Sequence, residues 1–223
     1  MRMFKKIMTL AISASFMCGL ASCSKNPVSD PSASSASAHT EKSLVVTEKE
    51  TTETTETEKE SKFGKALVVY FSCTGNTKDV ALKIANEVGC GSYEIIPSKA
   101  YTQDDLNYNN KKARATREQN DKNARPEIEG TIDISSYDTI FLGYPIWFAK
   151  APRILNTFVE SHDFDGKTII PFCTSGSSGI GSSATELAEL AQNKGKWVNG
   201  TRFGASVKST DVAQWIAVVE GEI

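Results

Sequence analysis

Residues 72–77 have the types and the order that favour binding of a phosphate group. They read Ser-Cys-Thr-Gly-Asn-Thr and stand directly behind the apolar run at 66–71. A short β-prone apolar run predicts a strand buried on both faces, and the turn behind it then opens a helix. Free backbone N–H groups, the positive end of a helix dipole and hydroxyl side chains therefore meet at one point, where an anion is stabilised.

The same loop carries no lysine or arginine between Ser72 and Thr77, so neutral donors alone would hold the anion. ATP-binding loops instead place a lysine against the outer phosphates. A neutral loop suits a single terminal phosphomonoester, as in a mononucleotide. The alternative is an ordinary strand-to-helix turn, rich in Ser and Thr, that caps itself.

Two further loops follow predicted strands and could meet the first. The strand at 139–143 leads into Tyr-Pro-Ile-Trp-Phe, and the strand at 168–173 leads into a Gly/Ser-rich loop at 174–181. The carboxyl ends of parallel strands gather at one sheet edge, where ligands bind. A flat aromatic ligand would give Trp147 and Phe148 a stacking partner, although these rings could also pack against their own helix. The Gly/Ser loop offers backbone N–H groups at close approach.

Strand-like and helix-like patterns alternate along the chain from residue 63 to its end. Apolar runs at 66–71, 93–97, 139–143 and 168–173, with a weaker one at 199–205, are separated by amphipathic stretches. This alternation predicts an α/β domain with a five-stranded parallel sheet, doubly wound, in three layers. The polar stretch at 98–130 also predicts a helix over about 106–122.

The ordered set of three loops resembles the flavodoxin family, over nearly all of residues 65–223. The resemblance implies FMN as the cofactor and a flavodoxin-like fold. It implies one set of residues that holds the FMN phosphate, a second set that flanks the isoalloxazine ring and a third set that closes the other edge of that ring. These are Ser72, Thr74, Gly75, Asn76 and Thr77, with Cys73 in the same loop; Pro145, Ile146, Trp147 and Phe148; and Thr174, Ser175, Gly176 and Ser177.

The first 62 residues differ in kind from the rest. A basic start, an apolar stretch at 7–20 and the ending Leu-Ala-Ser-Cys predict a signal peptide over 1–22. The ending resembles a bacterial lipobox, which implies lipidation of Cys23; the alternative is a plain signal with a chance cysteine. Residues 23–62 show no apolar periodicity and contain a Thr/Glu tract, which predicts a disordered tether before the domain at 63–223. We therefore expect a lipid-anchored, extracytoplasmic protein of the bacterial cell envelope.

Charge and residue counts exclude several other functions for the domain. Residues 63–223 carry 17 Lys and Arg against 19 Asp and Glu, so no strong positive field attracts nucleic acid. Their only histidine is His162, which argues against a histidine-based metal site or a hydrolytic triad. Three widely spaced cysteines do not form a disulfide framework.

The leading hypothesis is an FMN protein that moves electrons outside the cytoplasm, as a carrier or as a quinone- or NAD(P)H-linked reductase. Its partner would be a redox protein or a quinone, and Cys23 would attach it to the membrane. Lys150, just after the aromatic loop, would lie near the flavin under one hypothesis and be a solvated lysine under the other. The alternative function is a flavodoxin-like interaction module without redox turnover, with the polar segment at 98–127 as its contact surface.

Overall fold

The computed structural model describes residues 62–223. The predicted signal peptide at 1–22, the lipidation site Cys23 and all but the last residue of the predicted tether lie outside this range. Strands and helices alternate within it in the order β1 Ala66–Tyr70, α1 Asn76–Val88, β2 Gly91–Glu94, β3 Ile96–Pro97, α2 Arg114–Asn120, β4 Ile128–Glu129, β5 Thr139–Pro145, α3 Arg153–Glu160, β6 Thr168–Thr174, α4 Ser183–Leu190, β7 Lys196–Trp197, β8 Thr201–Phe203 and α5 Ser209–Val219.

The main sheet is parallel and has the order β2-β1-β5-β6, with its last position shared by β7 and β8. Both short strands pair with β6, one near its start and one near its end. The predicted five-stranded parallel sheet is therefore confirmed, with its fifth position divided in two. The chain order reverses between β1 and β5, and in such sheets this reversal opens a crevice at the carboxyl edge.

Helices cover both faces of the sheet, which confirms the predicted three layers. Along β1 the side chains alternate, as a strand requires. Val68 packs in a core cluster with Ile84 of α1 and Ile216 of α5. Val69 packs in a second cluster that contains Leu155 of α3, together with residues of α4.

The predicted helix over 106–122 is wrong in length, because only α2 forms a helix there. The residues before α2 are turns in which polar side chains bond the local backbone. The Asn107 side chain accepts the N–H of Asn109 at 3.1 Å, and the Asn110 side chain accepts the N–H of Lys112 at 2.9 Å. Side chains of this type compete with the helical hydrogen bonds, so the helix begins only at Arg114.

The predicted strand at 93–97 is likewise divided. Only β2 joins the main sheet, whereas β3 pairs antiparallel with β4 in a separate two-stranded sheet. The N–H of Ile95 still donates to the carbonyl of Tyr70 in β1 at 2.7 Å, and the chain leaves the main sheet after it. The long polar segment at 98–130 follows β3.

Gly143 leaves room for a buried aromatic ring of the neighbouring strand at the centre of the sheet. It lies in β5, paired with Tyr70 of β1 and Phe172 of β6. A Cβ atom at Gly143 would lie 2.1 Å from the Phe172 ring, far closer than van der Waals contact. The ring is fully buried, so it has little room to move.

We expect Gly143→Ala to destabilise the domain by roughly 1–3 kcal/mol, because the added methyl overpacks a rigid aromatic ring. Urea denaturation followed by far-UV circular dichroism measures the change. Gly204→Ala is the matched control, because a Cβ there meets no atom within 4 Å. Equal stability of the two variants would contradict this account of β5.

Candidate functional site

The carboxyl ends of β1, β5 and β6 open into one cleft of about 540 Å³. All three loops that the sequence singled out contribute to its walls. The lining residues are Cys73, Thr74, Asn76, Thr77, Gln103, Leu106, Tyr108, Pro145, Ile146, Trp147, Thr174, Ser175, Gly176, Ser177, Ser178 and Ala205.

The first loop turns sharply from β1 into α1. Gly75, the residue before the helix, has φ 88°, a left-handed conformation that glycine adopts at little cost. The Ser72 hydroxyl accepts the Gly75 N–H at 3.2 Å, which closes the turn. The N–H groups in the first turn of α1 have no acceptor within the helix. The loop therefore presents backbone donors beside the exposed side chains of Thr74 and Asn76.

A buried hydrogen bond joins the first loop to the end of β6. The hydroxyl oxygens of Thr77 and Thr174 lie 2.8 Å apart, and both side chains are buried. Either hydroxyl can donate in this pair. Whichever does so, the other keeps its hydrogen for a further acceptor.

The aromatic loop is a tight hairpin that presents its two rings differently. Trp147 is buried, with its ring edge-on to Phe71 at 5.6 Å and to Tyr101 at 5.2 Å between centroids. Phe148 is 47% exposed and does not line the cleft; its ring packs against Tyr108 at 5.2 Å. Most of the Trp147 surface is therefore covered by the domain itself, and Phe148 stands at the rim.

The hairpin carries backbone strain at its two central residues. Phe148 and Ala149 have φ values of 50° and 62°, in the left-handed region. Trp147 and Lys150 exchange two backbone hydrogen bonds, of 2.9 and 3.0 Å, across the turn. Turns of this shape favour Asn-Gly, because a side chain with a Cβ costs roughly 1–2 kcal/mol in the left-handed region.

The third loop is held from the neighbouring strand. The N–H of Ser175 donates to the carbonyl of Phe203 at 3.2 Å, and the Ser175 hydroxyl donates to the carbonyl of Ser178. The Arg202 guanidinium donates to the carbonyls of Ser175 and Gly176 at 3.1 and 3.4 Å. The carbonyls of Ser175, Gly176 and Ser178 therefore accept hydrogen bonds from within the protein.

Every side chain that lines the cleft is neutral. The Cys73 thiol belongs to this set, because burial raises its pKa to about 12 despite the nearby Arg114 guanidinium. Lys150 is not among the lining residues, and its ammonium lies 2.7 Å from both carboxylate oxygens of Glu186. Burial opposes ionisation of Glu186, but hydrogen bonds from Lys150 and Ser182 outweigh it and lower the pKa of that carboxyl.

Comparison with known sequences decides the family. A sequence model of the flavodoxin family matches residues 65–219, the whole of the sheet and its helices. The chain belongs to the flavodoxin family. Membership supports FMN as the cofactor, as the sequence predicted. A comparison with curated proteins finds no match.

Solved structures of several flavoproteins resemble this member of the flavodoxin family. A candidate flavoprotein of Bacteroides eggerthii is 43% identical, with a TM-score of 0.65, and the match covers 70% of this chain and 97% of the other. A candidate flavoprotein of Bacteroides uniformis is also 43% identical, with a TM-score of 0.66, over 69% and 98% of the two chains. A flavoprotein of Lactobacillus acidophilus, solved in complex with FMN, is 23% identical with a TM-score of 0.52, over 68% and 98%, and shares the fold.

Sequence reasoning missed five residues of the flavodoxin-family cleft. Gln103, Leu106 and Tyr108 come from the polar segment, Ser178 from the Gly/Ser loop and Ala205 from the turn after β8. Of these, only Tyr108 carries a signal in the sequence, as an aromatic residue among polar neighbours. Ser72, Gly75 and Phe148 were predicted as binding residues and do not line the cleft, although the first two form the turn between β1 and α1 that borders it.

A second hollow, of about 500 Å³, surrounds His162 at the opposite edge of the sheet. Its groups are engaged within the protein: the Lys167 ammonium donates to the carbonyls of Ser135 and Tyr137, and both ring nitrogens of His162 face carbonyl oxygens. In residues 62–223 no group of histidine, cysteine and carboxylate side chains is arranged to hold a metal ion. In the same range no helix has the length and apolar character needed to cross a bilayer.

Proposed function

We propose that this protein binds FMN in the cleft and transfers electrons outside the cytoplasm. The observation that carries the proposal is the neutral cleft at the reversal of strand order, with a helix N-terminus at one end. Its volume of about 540 Å³ lies within the usual range of ligand pockets, roughly 300–1,000 Å³. FMN supplies the redox chemistry when bound, and the protein supplies position and electrostatics.

The phosphate end of FMN would be held by the first loop. The first-turn amides of α1 and the exposed hydroxyl of Thr74 provide neutral donors, and the helix dipole favours the negative charge. The pair formed by Thr77 and Thr174 leaves one hydroxyl hydrogen for an acceptor. These donors fit a terminal phosphomonoester without any lysine.

The ring end would lie between the polar segment and the aromatic hairpin. Tyr108, Ile146 and Trp147 line this part of the cleft, and Tyr108 is half exposed, so its ring can still gain a stacking partner. The turn at 176–178 borders the same cleft with small side chains. Its backbone N–H groups suit the carbonyl oxygens of a polar ring edge.

The polar segment at 98–127 favours FMN binding over a role as an interaction module. Its residues Gln103, Leu106 and Tyr108 form a wall of the cleft. Those side chains are therefore part of the cleft that would hold the ligand, which supports a role in binding FMN. The absence of any spectral change on addition of FMN would favour the interaction module.

Asn76→Asp tests the phosphate end. A carboxylate at the first residue of α1 would repel a phosphate dianion while remaining favourable for the helix itself. We expect FMN affinity, measured by quenching of flavin fluorescence, to fall by about tenfold or more. Riboflavin, which has the same ring and no phosphate, is the control, and its affinity should not change. An equal loss for both ligands would contradict phosphate binding at this loop.

The electron donor is expected to be a quinol or a redox protein, since reduced nicotinamides are scarce outside the cell. The FMN-loaded chain should accept electrons from a soluble quinol analogue in anaerobic stopped-flow absorbance measurements. NADH and NADPH should reduce it no faster than they reduce free FMN. Fast, saturable reduction by either nicotinamide would contradict this assignment.

Attachment to the membrane through Cys23 is the remaining part of the proposal, supported by the basic, apolar and small-residue pattern of residues 1–23. Intact-mass spectrometry of the chain isolated from a bacterial host should show a mature form that begins at residue 23 and carries a lipid. Cys23→Ser should lack the lipid mass. A wild-type chain without acylation would contradict the proposed anchor, but it would not count against the proposal that the cleft binds FMN.

A further inference from the structure

One buried side chain forms hydrogen bonds to both sides of the strained aromatic hairpin at 147–150. The Nε2 of Gln119 donates to the carbonyl of Trp147 at 2.9 Å and to the carbonyl of Ala151 at 3.1 Å. One of these carbonyls precedes the turn and the other follows it. A single amide nitrogen therefore bridges both sides of the hairpin, and it does so where only 7% of the Gln119 surface is exposed.

The helix that carries Gln119 is fixed in turn by the residue that begins α3. The Arg153 guanidinium, which is buried, donates to the carbonyls of Glu118 and Gln119 at 3.3 and 2.9 Å. A cation at the last carbonyls of a helix is favourable. The hydrogen bonds therefore act in sequence: Gln119 of α2 donates to the hairpin, and Arg153 at the start of α3 donates to the end of α2.

The same helix supports the Trp147 ring. Arg114 pairs with Glu118 at 2.6 Å and lies over the Tyr101 ring at 4.0 Å. The Tyr101 hydroxyl donates to Glu118 at 2.5 Å, and its ring contacts Trp147. Both the backbone and the side chain of Trp147 therefore depend on α2.

We propose that Gln119 is a positioning residue: its amide holds the hairpin in its left-handed turn and so sets the wall of the cleft formed by Ile146 and Trp147. Phe148 and Ala149 disfavour the turn, so its shape depends on bonds from outside it. The two bonds from Gln119 supply them. The effect on FMN rests on the proposed function; the effect on the hairpin does not.

Gln119→Met removes both bonds and keeps the length of the side chain. The matched control is Thr116→Val, one turn earlier on α2. Thr116 is as buried as Gln119, and its hydroxyl has no hydrogen-bond partner among the described residues, so its loss should leave the hairpin unchanged. Urea denaturation confirms that each variant is folded.

The first measurement is hydrogen exchange of the Trp147 and Lys150 amides in the full chain without FMN. These two amides form the hairpin's own hydrogen bonds. We expect Gln119→Met to speed their exchange by about tenfold or more, and Thr116→Val to leave it unchanged. Unchanged protection in Gln119→Met would overturn the proposal, whether or not the chain binds FMN.

The second measurement separates positioning from general stability. Ala149→Gly removes the penalty of the left-handed conformation at that position, so in the Gln119→Met background it should restore part of the lost protection. FMN affinity should fall by about tenfold in Gln119→Met and recover in the same double variant. A double variant that exchanges as fast as Gln119→Met would overturn the proposal. If the exchange rates follow the predicted pattern but no variant binds FMN, wild type included, the result counts only against the proposed function.

Discussion

The reversal of chain order between β1 and β5 is the constraint on which the rest of the site depends. The chain after β1 passes through α1 on one face of the sheet to β2, and the chain after β5 passes through α3 on the other face to β6, so the loops that follow β1 and β5 diverge and leave a crevice between them. The loop after β6 borders the same crevice because β6 pairs with β5 over seven residues. The sheet topology alone therefore brings three segments that are far apart in the chain to one cleft.

The chemistry of that cleft follows from its neutrality. Its donors are backbone amides and hydroxyls, and the thiol of Cys73 remains protonated because burial raises its pKa to about 12. The charged groups close to the cleft form hydrogen bonds within the protein: Lys150 with Glu186, Arg114 with Glu118, and Arg202 with carbonyls of the Gly/Ser loop. A phosphate held here is stabilised by dipoles. A flat ring beside it meets no charged side chain among the residues that line the cleft.

Particular residues show what the sequence could predict. The loop at 72–77 was predicted correctly as a turn into a helix, because a glycine and a run of hydroxyl residues behind an apolar run are local signals in the sequence. In the structure that glycine, Gly75, has φ 88°. Tyr108 stands out in the sequence as an aromatic residue among polar neighbours, but its place in the cleft could not be predicted, since it depends on turns made by Asn107 and Asn110 in place of a helix. The role of Gln119 could not be predicted either, because its hydrogen-bond partners are carbonyls 28 and 32 residues away in the chain. A glutamine in a polar segment also has no distinctive sequence pattern.

The polar segment thus combines with the sheet to complete the site. The loops at the carboxyl end of the sheet form one part of the cleft, and the segment forms a wall and donates the Gln119 hydrogen bonds to the aromatic hairpin. Binding of FMN in this cleft can be measured from the visible absorption spectrum of the purified full chain with added FMN. We predict a shifted and sharpened flavin spectrum that saturates at one FMN per chain. A spectrum identical to that of free FMN at every ratio would contradict the account.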